Sequence, residues 1–110
     1  MKEKMKTCFE QWGIQCHSGW ATLYDPILQK VMKLNGTILQ VKEKFGCLRI
    51  YFMLPPDVCP EEKHRLSVLA SKAEETSGKV CEICGNPGEM IKDGGWYRVR
   101  CEEHAVYRAH

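Results

Sequence analysis

The sequence predicts an α+β fold: N-terminal helices, a β-hairpin and a helix, then a small C-terminal unit set apart by paired cysteines. Three observations lead there. Apolar residues recur at helical spacing near the N-terminus and again after residue 60. Between those stretches the pattern changes to a period of two. Finally, two short pairs, Cys81 with Cys84 and Cys101 with His104, bracket a second alternating stretch.

Taken in order, Met5, Cys8, Phe9 and Trp12 share one helical face and Gly13 follows as a stop, which predicts an amphipathic helix over the first dozen residues. A second stripe joins Trp20, Leu23, Ile27, Val31 and Leu34, interrupted by Asp25-Pro26. Asp can cap and Pro suits a first turn, so a short turn near Trp20 and a helix from about Pro26 to Asn35-Gly36 are expected. "TILQVKEKFGCLRIYFML" is rich in β-branched and aromatic residues, and Leu48, Ile50 and Phe52 alternate with polar neighbours. That predicts a two-stranded hairpin with one buried face, ended by Pro55-Pro56. Pro60, Glu61 and Glu62 then open a helix that Gly78 closes, with Leu66, Leu69, Ala70 and Ala73 expected to pack on the hairpin. The chain divides into residues 1–78 and 79–110, which together form one compact unit.

Composition narrows the functional classes. Hydrophobic residues at 44% and charged residues at 27% describe an ordinary globular chain. The amino terminus is charged throughout, unlike a secretory signal, and no apolar run reaches the ~18 residues of a membrane span. Seven cysteines without a route to an oxidising compartment point to the cytoplasm, with thiols reduced or metal-bound.

The spacing of four of these ligand-type residues is specific. Cys81-x-x-Cys84 and Cys101-x-x-His104 are separated by sixteen residues. Each pair can grip one ion from a tight turn, and Gly85 permits the backbone bend after the second cysteine. Between them, "EMIKDGGWYRVR" reads as a hairpin turning at Asp93-Gly94-Gly95, which returns Cys101 to Cys84. With Cys101 and His104 in the first turn of a closing helix, the order is knuckle, hairpin, helix: a treble-clef-like zinc module. Three thiolates and one imidazole complete a tetrahedron, so the expected zinc is structural. No H-x-E triplet, H-E-x-x-H motif or hairpin histidine accompanies it, and no enzyme is predicted.

Other residues carry weaker signals. Cys8 falls on an apolar face; Cys16, Cys47 and Cys59 lack a partner pair; a cysteine nucleophile beside His17 or His64 has no supporting spacing. Trp96, Arg98 and Arg100 share one face of the last strand, an arrangement that can stack bases and pair phosphates; the low net charge favours the simpler reading, a solvated strand face with Arg stems packed on the indole. The formal charge of +2 falls by one when three thiolates and a divalent ion are counted, and this speaks against a nucleic-acid binder.

The segments Gly19-Trp20, "VKEKFGCLRIYF", "CEICGNPG", Gly95-Trp96 and "CEEHA" together resemble a family of small proteins of bacteriophages, prophages and bacterial genomes. The resemblance covers most of the chain from about Gly19, and the family usually has Gly at the position of Cys47. It implies a phage or mobile-element origin and a zinc-binding tail; it supplies no activity. The expected function is therefore a non-enzymatic module that binds a host or phage protein in the host cytoplasm and modulates a process such as defence. The alternative is a nucleic-acid-binding zinc finger.

Overall fold

The computed structural model describes residues 7–105 of the 110-residue chain. A first helix, α1 (Cys8–Trp12), is capped by Thr7, whose hydroxyl accepts the Glu10 amide at 3.0 Å while the Glu10 side chain reaches back to the Thr7 amide. It is shorter than expected, and Met5 lies outside the described residues. Phe9 packs on the core, but Trp12 points to solvent.

A turn over Ser18–Trp20 leads into α2 (Ala21–Lys33). The helix thus starts five residues before the expected point, and Pro26 sits within it. A proline there removes one backbone bond and crowds the preceding turn, at a cost of about 3 kcal/mol. Thr22, Asp25 and Pro26 all face solvent, so water reaches the affected carbonyl. Meanwhile Tyr24, Ile27, Leu28 and Val31 line a continuous buried face, and packing decides the outcome. The helix ends as expected: Asn35 takes φ 60° and the Gly36 amide reaches back to the Val31 carbonyl at 2.8 Å.

The hairpin pairs β2 (Thr37–Lys44) with β3 (Cys47–Met53) through the two-residue turn Phe45-Gly46, both at positive φ. Glu43 accepts the Gly46 amide at 2.7 Å. A strand the sequence did not announce, β1 (Ile14–Gln15), adds to it in parallel opposite Val41 and Lys42. Two residues are too few to display a period. Ile38, Val41 and Leu48 of the sheet share one core with residues of α2 and α3 (Pro60–Ser77), and the two helices also touch each other.

The packing of α3 corrects one expectation. Leu66 and Ala73 are buried and Ala70 is partly so, but Leu69 is 45% exposed. Two polar contacts set the helix rotation. The Ser77 hydroxyl accepts the Leu48 amide at 2.9 Å, and Glu74 pairs with Arg49 at 3.1 Å. Facing 74 and 77 to the sheet turns Leu69 outward, because residues advance 100° each around a helix. Leu66→Ala is expected to cost about 2–5 kcal/mol, whereas Leu69→Ala stays below about 1 kcal/mol. Denaturant titration of the two variants checks the difference, and equal losses would overturn it.

The second hairpin, β4 (Glu89–Asp93) and β5 (Trp96–Arg100), turns at Gly94-Gly95 and packs on the tip of the first. Phe45 meets Tyr97 edge-on with centroids 6.2 Å apart. Gly46 sits at φ 81°, a conformation that strains any other residue, and a Cβ there would also push aside the end of the Met90 side chain. Among the described residues no helix is long and apolar enough to cross a membrane.

Candidate metal centre

The knuckle Cys81–Gly85 closes through the Gly85 amide, which donates to the Cys81 carbonyl at 2.9 Å, with Gly85 at φ 83°. At the far end of β5, Cys101 precedes a single turn, Glu102–His104, whose last amide donates back to the Cys101 carbonyl at 3.1 Å. Both turns face each other because the β4–β5 register sets Glu89 opposite Arg100. Any continuation of the closing turn into a helix lies outside the described residues.

These two turns bring the ligand atoms of Cys81, Cys84, Cys101 and His104 within 4.8 Å of one another. Cys84 and Cys101 sulfurs are 3.6 Å apart, and His104 Nδ1 lies 3.2 Å from Cys101 Sγ and 3.8 Å from Cys81 Sγ. A tetrahedral ion with metal–sulfur bonds of about 2.3 Å and a metal–nitrogen bond of about 2.0–2.1 Å sets sulfurs about 3.8 Å apart and sulfur–nitrogen pairs about 3.6 Å apart. The donor set fits one ion. Cys81 and Cys101 are buried, Cys84 is exposed and His104 is half-buried. No other such cluster occurs among the described residues, so Cys16-His17 forms no second site there.

Local electrostatics favour the thiolate at the buried position. Burial raises the Cys81 thiol, but the amides of Cys101, Cys84 and Ile83 and the Cys84 side chain outweigh it, and the group falls to about 6. At Cys84 the Asn86 amide lowers the thiol, yet desolvation and the neighbouring Cys101 and Cys81 leave it raised. Cys16 behaves oppositely to an activated nucleophile. Burial, then Glu82 and Glu43, push it up to about 12, so it stays protonated. Cys8 engages Gln15 and Gln40, each at 3.3 Å.

The supports of the knuckle come from far upstream. The Gly19 amide donates to the Glu82 carbonyl at 2.7 Å, and the buried Trp20 indole donates to the Val80 carbonyl at 2.9 Å. A Cβ on Gly19 would collide with the carbonyl oxygens of Cys81 and Glu82. Glu82, between the two knuckle cysteines, is buried; its carboxylate accepts the His17 amide at 3.1 Å and pairs with Arg100 at 3.3 Å. Sequence reasoning missed Glu82, because one acidic residue inside a CxxC has no pattern to mark it.

The same pairing corrects the expected basic strand face. Trp96 is 59% exposed, but Arg98 and Arg100 are only 7% and 3% exposed. Arg100 is committed to Glu82 beneath the surface, since a buried guanidinium needs an opposite charge. Neither a solvated stripe nor an open phosphate track results. Against known proteins, no family model, curated protein or solved structure matches the chain.

Proposed function

We propose that the chain is a zinc-stabilised, non-enzymatic module that binds another protein. The single observation that carries the metal assignment is the convergence of three sulfurs and one imidazole nitrogen at tetrahedral spacing. Thiolate-rich donor sets select zinc, and four protein ligands leave no coordination position for water or substrate. The zinc therefore acts as a staple in a treble-clef-like arrangement of knuckle, hairpin and closing turn.

Protein binding follows from what the surface offers. Trp12, Phe45, Met53 and Trp96 are exposed, the residue types that interfaces favour, while the formal net charge is only +2. The nucleic-acid alternative draws on Trp96, Arg98, Arg100 and nearby lysines, and the burial of the two arginines weighs against it. By the resemblance carried in "VKEKFGCLRIYF" and "CEICGNPG", the setting is a phage-encoded protein acting on a host process such as defence.

Two measurements on one preparation test this. Elemental analysis is expected to find one zinc per chain. Fluorescence anisotropy with duplex and single-stranded oligonucleotides should show only weak binding at physiological salt. Submicromolar binding that falls steeply with salt, by about −0.9 in log–log slope per phosphate contact, would favour the nucleic-acid alternative. A folded protein with well under one zinc per chain would remove the staple.

A further inference from the structure

Beside the knuckle lies a cleft of about 390 Å³, within the size range of ligand pockets. One wall is the segment from Ile14 to His17, whose strand β1 is the outermost of its sheet. β5 lines the cleft as well, with Trp96 exposed and Arg98 buried. Glu82, paired with Arg100, and Glu43 complete the polar lining.

We propose that this cleft is the docking groove for an extended segment of a partner protein, laid alongside β1 and anchored by one apolar or aromatic side chain against Trp96. The inference rests on the protein-binding function above and assigns it a place. Charge selects the occupant. Two guanidinium groups and two carboxylates line the cleft, so their formal charges cancel. A polyanion reaching Arg98 meets Glu43 and Glu82, and a polycation meets the arginines. A peptide backbone suits such a lining, because it carries donors and acceptors without net charge.

Geometry supplies the rest. Among the described residues β1 pairs only with β2, and an outer strand is a template for a further strand. Ile14 and Trp96 are both exposed large hydrophobics that line the cleft, so an apolar side chain entering it loses water against them. The polar lining is pre-set before any partner arrives: Glu82 is held by the His17 amide and Arg100, and its backbone by Gly19 and Val99. A pre-set groove limits the ordering cost of binding.

The experiment pans zinc-loaded protein against a displayed library of random ten-residue peptides. Enriched peptides are then measured against the parent protein, Trp96→Ala and Ile14→Asp. Both substitutions are at exposed positions, and zinc content and thermal unfolding verify that each variant is folded. The expected result is enrichment of peptides with a shared aromatic or apolar residue and little net charge. Each variant should bind them about tenfold more weakly or worse, the effect of losing a central anchor. Amide exchange should slow over residues 14–17 when peptide is bound.

Peptides that bind parent and both variants equally would overturn the groove while leaving the protein-binding function standing. Failure to enrich any peptide would count against both. Binding of free nucleosides that is lost in Trp96→Ala, without peptide enrichment, would reassign the cleft to a nucleobase.

Discussion

Chelation of the metal is expected to unfold the whole described chain, not the C-terminal unit alone. Structural zinc in small modules contributes roughly 10–16 kcal/mol of binding energy, which becomes folding energy when the site exists only in the folded state. The whole stability of a domain this size is about 5–15 kcal/mol. The two quantities are comparable, so the fold survives metal loss only if the rest is independent of the knuckle. It is not independent. Trp20, at the start of α2 and wholly buried, hangs on the Val80 carbonyl; the Gly19 amide holds Glu82; Val99 of β5 sits in the same core as Val31 and Val41. Hydrogen exchange after treatment with a strong chelator checks this. Amides of Val31 and Val41 should lose protection together with those of Cys81 and Val99. Retained protection in α2 and β2 would show two separable units.

Gly19→Ala is the point substitution with the largest expected effect. The new methyl would strike the carbonyl oxygens of Cys81 and Glu82, which are backbone atoms of the knuckle. They cannot retreat without carrying the Cys81 sulfur away from its partners. The two segments approach closely at a second point, since a Cβ on Gly85 would lie 3.0 Å from the Gly19 carbonyl oxygen. A loss of about 3–5 kcal/mol is expected, in the range of severe overpacking combined with a broken site, together with faster zinc transfer to a competing chelator. Gly78→Ala is the control. Its added methyl would meet nothing closer than 3.4 Å, and its φ of −68° suits alanine. Denaturant titration of both, alongside a colorimetric zinc-transfer assay, decides the matter. If Gly19→Ala unfolds within about 0.5 kcal/mol of the parent, the close approach of the 19–20 segment to the knuckle is not the constraint described.

By itself the sequence determined whatever rests on local chemistry. The α+β class, α3 with its proline start, the β2–β3 and β4–β5 hairpins with their glycine turns, and the four candidate ligands all follow from spacings within about 25 residues. Local rules failed where a distant partner outweighed them. The start of α2 moved upstream because a buried Trp20 and a continuous apolar face outweigh the preference of Pro26 for a first turn. Leu69 lost its place in the core because Ser77 and Glu74 bind Leu48 and Arg49 across the sheet and rotate α3. Arg98 and Arg100, exposed by strand alternation alone, are buried in the folded chain, where Glu82 of the knuckle pairs with Arg100. Only the tertiary structure brought Gly19 and Trp20 against the knuckle, sixty or more positions along the chain. A hydrogen bond over that separation leaves no period in the sequence, since nothing local selects it. It exists because buried backbone groups must find partners, and the folded chain offers these.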